Sequence, residues 1–237
     1  MLITVSYKDV KNKGRQQKCL PLQILLKEHS MNIPDKVLNR LSLYHFILDD
    51  LREGEQYISS KKIAEFLNID NSQVRKDLKY LGISDLGKCR VGYDAKKLKK
   101  TIEEKLGFKQ HRNAFIVGAG NLGSALAKYN SFKDYGLNIV AMFDTDTKKI
   151  GSFINGKEVF NVTKVSTLAT KMKVDFAILT VPKDAAKTTA NYLAGAGIKN
   201  IWNFTPCILD VPKDIKVWNE NLIGSFLQFT NEYSNLK

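Results

Sequence analysis

The chain has 237 residues, of which 43% are hydrophobic, and carries 37 Lys and Arg against 24 Asp and Glu, a net charge of +13. That is room for two modest domains with ordinary cores, and no apolar run approaches the roughly 18 residues of a membrane span. The stretch "LPLQILL" at Leu20 to Leu26 has no small-residue cleavage site after it, which argues against secretion.

Cys19, Cys89 and Cys207 are far apart with no C-x-x-C among them. Neither a disulfide framework nor a metal site is expected, and a reducing cytoplasm suits the chain. A surplus of cations favours a polyanionic partner, most simply nucleic acid, although high lysine usage alone can produce it. Its location matters more than its total: Tyr57 to Lys109 hold 13 Lys and Arg against 7 Asp and Glu, so +6 of the +13 sits in under a quarter of the chain.

Residues 1–32 are rich in Lys, Gln and Asn without periodicity and read as a mobile tail, with Met31 as an alternative start. A DNA-binding domain is expected over 33–109. Pro34 suits the first turn of a helix, and Val37, Leu38, Leu41, Tyr44, Ile47, Leu48 and Leu51 recur at three- and four-residue steps, with Gly54 ending that helix. Ser59 and Ser60 cap a short helix burying Ile63, Ala64 and Leu67. Asn71 then caps a third helix, "SQVRKDLKYLG", stopped by Gly82. The order is that of a helix-turn-helix.

In the third helix Val74, Leu78 and Leu81 make an inward stripe. Ser72, Gln73, Arg75, Lys76, Lys79 and Tyr80 spread over the other face, where cations reach phosphates or guanine and Gln pairs with adenine. Asp77 is the exception on that face and would orient a neighbouring cation or cap another segment. A solvated face on a structural helix would show the same residue types. Lys88, Arg90 and Tyr93 project from a short two-stranded wing, "ISDLGKCRVGY". Asp94 and Gly107 bound a lysine-rich helix. The DNA-contacting set is thus Ser59, Ser60, Ser72, Gln73, Arg75, Lys76, Lys79, Lys88 and Arg90.

Residues 110–220 predict a Rossmann-type, doubly wound parallel sheet. "AFIVGAG" is a strand running into the G-x-G-x-x-G of Gly118, Gly120 and Gly123, and "NLGSALAKY" is the helix that follows. The loop and helix start, Gly118, Ala119, Gly120, Asn121, Leu122 and Gly123, would cradle a pyrophosphate. Strand "LNIVAMFD" ends at Asp144, 21 residues beyond Gly123. An acid there binds ribose hydroxyls and favours NAD(H) over NADP(H), while Lys148 and Lys149 keep the phosphorylated alternative open. Thr180, Val181 and Pro182, and Asn203 and Phe204, sit at the carboxyl ends of two further strands, where ligands lie in such sheets, although ordinary loop chemistry would also account for them. The last helix, 221–237, carries Leu222, Ile223, Phe226, Leu227, Thr230 and Tyr233 on one face. It packs either on its own domain or in a partner subunit.

A dehydrogenase needs an acid or base beside the nicotinamide. His29 lies in the tail, His45 in the first helix and His111 ahead of the first sheet strand; Lys183 and Cys207 have no visible catalytic partner, and no substrate domain follows. A binding module joined to a DNA reader is the more economical account, not an enzyme; the alternative is an oxidoreductase with a basic appendage.

The series "VRKDLKYLG", "VGYD", "VGAGNLGSALA", "FDTDTKKIG", "LTVPKDAA" and "NFTP", in that order from about Ile33 onward, resembles the Rex family of redox-sensing transcriptional repressors. The resemblance implies a homodimer on a palindromic, A·T-rich operator, released by NADH, with the terminal helix swapped between subunits. It also implies that Tyr93 lies near the nicotinamide. The chain departs from the family pattern at Arg90, where a wing glycine is usual, and at Phe46 and Glu220, where an Arg and an Asp of a cross-subunit ion pair are expected. A DNA-binding relative with weakened redox response is therefore a further alternative.

Overall fold

In the computed structural model, residues 33–82, 87–88 and 91–234 are described, by backbone alone at 87–88 and 232–234. The expected tail, Cys89 and Arg90 lie outside them, as do the side chains of Lys88 and Tyr233. Two compact units result, one ending at Ile102 and the other beginning at Glu103. The second claims the residues just before 110 because Phe108 meets Tyr135 edge to face at 4.8 Å.

In the first unit Pro34 occupies the N-cap of α1 (Asp35–Asp49), and Gly54, at φ +100°, serves the following turn instead of ending that helix. After β1 (Tyr57–Ile58), the Ser59 hydroxyl accepts from the Lys62 amide at 3.0 Å and caps α2 (Ser60–Leu67). Asp70 is the cap of α3 (Asn71–Lys79), in place of the Asn71 expected, because its carboxylate accepts the Ser72 amide at 2.7 Å. Strands β2 (Gly87–Lys88) and β3 (Gly92–Asp94) form the wing, to which β1 adds an unforeseen third strand in the antiparallel order β1-β3-β2. Asp94 accepts the Lys97 amide and caps α4 (Ala95–Leu106).

Val74, Leu78 and Leu81 are buried as their spacing requires, but Asp77 is buried with them, which corrects its placement on the outer face. At 100° per residue it stands only about 60° from Val74, at the edge of the apolar arc. Its carboxylate takes a bidentate pair from Arg40 of α1 at 2.6 and 2.8 Å, the Tyr44 hydroxyl at 2.6 Å and the Gln73 amide at 2.8 Å. Burial alone would raise the Asp77 pKa, yet the hydrogen bonds from Arg40, Tyr44 and Gln73 outweigh it and hold the carboxyl below its ordinary 3.8. Burial and the same carboxylate push the Tyr44 phenol up, so it stays a donor.

The second unit is built on a seven-stranded sheet: β4 (Arg112–Val117), β5 (Leu137–Asp144), β6 (Phe153–Ile154), β7 (Lys157–Asn161), β8 (Phe176–Leu179), β9 (Asn200–Asn203) and β10 (Lys216–Asn219). Its order is β10-β9-β8-β4-β5-β7-β6, parallel except for the β6–β7 hairpin. Leaving out β6, this is the 3-2-1-4-5-6 order of the dinucleotide-binding fold, with its reversal between β4 and β8. Alternate residues face opposite sides. Phe115, Val117, Phe143 and Leu179 pack under α6 (Val165–Met172) and α7 (Lys183–Gly195), and Ile116, Met142 and Ile178 under α5 (Asn121–Lys128). The terminal helix α8 (Leu222–Ser234) leaves Leu222, Ile223, Phe226, Leu227 and Phe229 each at least 58% exposed, so it is not packed on its own domain.

Replacing Asp77 by Ala strands a half-buried guanidinium and a buried phenol and should destabilise the first unit by about 3 kcal/mol, seen as an earlier denaturant midpoint by circular dichroism. Because the carboxyl is held below 3.8, its stabilisation is complete above that pH and is lost as pH falls through the lower folded value. Wild-type stability should therefore drop in that acid window, and Asp77→Asn should flatten this part of the profile.

Candidate dinucleotide and nucleic-acid sites

At the reversal point, β4 ends in a turn whose three glycines have three different reasons. Gly118 sits at φ +106°, and a Cβ there would lie 2.7 Å from the Thr180 carbonyl oxygen. A Cβ on Gly123 would lie 2.0 Å from the Gly118 carbonyl oxygen. Gly120 is the N-cap of α5 with nothing within 4 Å of where a Cβ would be, and no side chain caps that helix. Two glycines therefore close the turn, and the third leaves the amide end of a helix bare, the condition under which it receives an anion.

A cleft of about 420 Å³ opens over this turn. Its apolar wall is Val162, Val181, Pro182 and Ala185, and Asp144 with Lys149 stands at its polar end. The Asp144 carboxylate accepts the Ala119 amide at 2.8 Å and the Asp146 amide at 2.9 Å, and pairs with Lys149 at 3.2 Å. Burial would raise its pKa, but the two amides and the ammonium hold it below the ordinary value, so it is an anion. Thr180 donates its hydroxyl to the Gly118 carbonyl oxygen at 2.9 Å, and its amide to that of Val117 at 2.8 Å, bracing the turn from β8.

Of the residues expected from sequence to meet a cofactor, Gly118, Gly120, Asp144, Thr180, Val181 and Pro182 line this one cleft. Ala119 is buried behind it, while Asn121 and Leu122 are exposed on the first turn of α5. Asn203 is different: it is fully buried, donates to the Cys207 carbonyl oxygen and the Asn219 side chain, and accepts the Thr205 amide and hydroxyl. Its side chain has no capacity left for a ligand, so its part is to hold the loop after β9. Phe204 packs on Trp202 at 4.8 Å. Tyr93 is half-buried in β3 of the first unit, its Cα opposite Ile58 and Gly87. Val162, Ala185 and Thr189 line the cleft but had carried no signal, since nothing local distinguishes them from other sheet and helix residues.

On the first unit, Ser72, Arg75, Lys76 and Lys79 are exposed along α3. Gln73 is half-buried and held by Asp77, which fixes its amide in place. Ser59 is exposed but caps α2, and Ser60 lies 3.4 Å from the Asn71 carbonyl oxygen of its side chain. Nothing in the sequence reading singles out Arg40, which lies one turn before Tyr44 on the same face of α1 and reaches the buried carboxylate. Glu220 accepts the Trp202 indole N–H at 3.0 Å within its own chain. Among the described residues there is no group of three or more His, Cys, Asp or Glu that could hold a metal ion, and no helix long and apolar enough to cross a membrane.

A winged helix-turn-helix with a cationic helix face, joined to a sheet with a glycine cleft, defines a DNA-reader and nucleotide-fold class of protein. The family models agree: a CoA binding domain matches residues 109–207, and a putative DNA-binding protein N-terminus matches 32–79. The redox-sensing transcriptional repressor Rex of Treponema denticola is 42% identical over 190 residues, covering 80% of this chain and 90% of that protein. Its Clostridium botulinum counterpart is 40% identical over 200 residues, covering 84% and 94%. Among solved structures, RSP, a Rex-family repressor, in complex with beta-NAD+ and operator DNA is 35% identical with a TM-score of 0.77, covering 86% of this chain and 93% of that one. RSP with beta-NADH is 34% identical with a TM-score of 0.74, covering 87% and 100%. The chain belongs to the Rex family.

The glycine geometry separates folding from binding. Gly123→Ala should lower the melting temperature of the second unit markedly, since backbone must move. Gly120→Ala, at φ −80° with open space around it, should melt within about a degree of wild type, surface changes of this kind costing about 0.5 kcal/mol or less. Differential scanning calorimetry of both variants checks the contrast.

Proposed function

We propose that this protein is a cytoplasmic transcriptional repressor that binds a palindromic, A·T-rich operator as a homodimer and lets go when NADH occupies the glycine cleft. The observation that carries the reading is one chain holding both a cationic α3 face and a cleft with a bare helix amide end and an anionic Asp144. Arg75, Lys76 and Lys79, with Ser72 and Gln73, contact DNA from α3; Ser59, Ser60, Lys88 and Arg90 contact its backbone. In the cleft the pyrophosphate lies on the amides of Gly120 to Gly123, Asp144 accepts from the adenine-side ribose, and Val181 and Pro182 flank the base. The Phe204 segment after β9 meets the nicotinamide end. On this reading occupancy of the cleft, rather than turnover of a substrate, is the output.

The homodimer is supported by α8, whose five large apolar side chains are exposed in the isolated chain. A surface of that kind is covered by a partner in solution. With Phe46 where a cation is usual, and Glu220 engaged by Trp202, the cross-subunit ion pair of the family has no counterpart at these positions.

Fluorescence anisotropy on a palindromic operator probe tests the reading. Affinity should fall steeply with salt, by about 0.9 log units per log unit of salt for each phosphate neutralised, and fall further with NADH. Saturating NADH that leaves the affinity unchanged would contradict the sensing role while leaving DNA binding intact. Lys76→Ala or Arg75→Ala should weaken operator binding at least about tenfold, with NADH affinity retained. Deleting 222–237 should yield a monomer by analytical ultracentrifugation.

A further inference from the structure

Lys149 is a cation in a cleft whose acid is expected to reject a phosphorylated ribose. It lines the cleft beside Asp144, with its ammonium 3.2 Å from one Asp144 oxygen and 3.8 Å from an Asp146 oxygen. The loop that carries it is held by its own hydrogen bonds. Asp144 accepts the Asp146 amide, Asp146 accepts the Lys148 amide with its side chain, and its backbone carbonyl accepts the Lys149 amide at 3.0 Å. The cation is thus built into the cleft and clamped there between two carboxylates.

Counting lone pairs shows what this clamp allows. The Asp144 oxygen nearest Lys149 already accepts the Ala119 amide and the ammonium, and the other oxygen accepts the Asp146 amide alone. One acceptor position on Asp144 therefore remains for a ribose hydroxyl, and Lys149, with one of its three N–H donors spent on Asp144, can give another to the neighbouring hydroxyl oxygen. Two anions against one cation leave the corner net negative, so a 2′-phosphate is repelled although a lysine is present. Without the Asp144 charge, Lys149 faces only Asp146, and the negative excess that repels a 2′-phosphate is gone.

We propose that Lys149 is the specificity-determining residue of the cleft: clamped by Asp144 it serves a ribose diol, and released from Asp144 it serves a 2′-phosphate. This rests on the dinucleotide reading above and adds that the acid selects by restraining a cation as well as by repulsion. The pair is a charge-assisted contact, stronger than a neutral hydrogen bond of the same geometry.

The test is titration of the full-length protein with NADH and with NADPH, followed by nucleotide fluorescence, for wild type, Asp144→Ser, Lys149→Ala and the double variant. Wild type should bind NADH at least about a hundredfold more tightly than NADPH, and Asp144→Ser should prefer NADPH by about tenfold. The double variant should lose that NADPH gain, and Lys149→Ala alone should weaken NADH several-fold while still rejecting NADPH. Should Asp144→Ser fail to fold by circular dichroism, Asp144→Asn retains an acceptor for the Asp146 amide and carries the same expectation. A wild type that binds NADH, with Asp144 variants that gain nothing for NADPH or a double variant that keeps the gain, overturns the role of Lys149. Wild type that binds neither nucleotide overturns the dinucleotide reading itself.

Discussion

A Cβ at position 118 would meet the Thr180 carbonyl at 2.7 Å, and one at position 123 would meet the Gly118 carbonyl at 2.0 Å. This closeness is the constraint on which the second unit depends. It lets β4 turn straight into α5, so that α5 packs on the sheet and its amide end opens at the point where the strand order reverses. Thr180 closes the arrangement from β8 through its hydroxyl and its amide. Because β8 and β4 are neighbours only in three dimensions, the glycine turn and the Thr180 segment are parts of one device.

The first unit has a corresponding centre in Asp77. A carboxylate in an apolar interface is costly unless its lone pairs are filled, and here Arg40, Tyr44 and Gln73 fill them. Arg40 and Tyr44 reach it from α1 and so tie that helix to α3, while Gln73 bonds to it within α3. The same carboxylate holds Gln73 beside the cations of α3. The acid in the "VRKDL" run is therefore part of what aims that face and has no place on the face itself.

Asp144 and Asp77 both keep their charge in spite of burial, and by the same means: backbone or side-chain donors together with one cation. They differ in what stays available. Asp77 is closed on all sides and acts as a fastening. Asp144 retains an open acceptor position at the edge of a cleft, which makes it a site.

Much was legible in the residue order. Three apolar residues at helical spacing mark the buried face of α3, and Ser59 and Asp94 mark helix starts because their caps act within three residues. The glycine spacing with Asp144 marks the cleft because each part is local to one strand-turn-helix unit. Even the Asn155-Gly156 turn of the β6–β7 hairpin, which was overlooked, was present as a left-handed pair at φ 49° and 72°. What the sequence alone determined, then, was carried by contacts of short range: most element types, the Ser59 and Asp94 caps, the glycine turn, and the basic face of α3. Only the tertiary structure decided the partners of Asp77 on another helix, the internal closure of Asn203, the pairing of Lys149 with Asp144 inside the cleft, and the bare apolar side of α8. These depend on which oxygen or ring comes within a few ångströms through folding, and distance along the chain does not encode that.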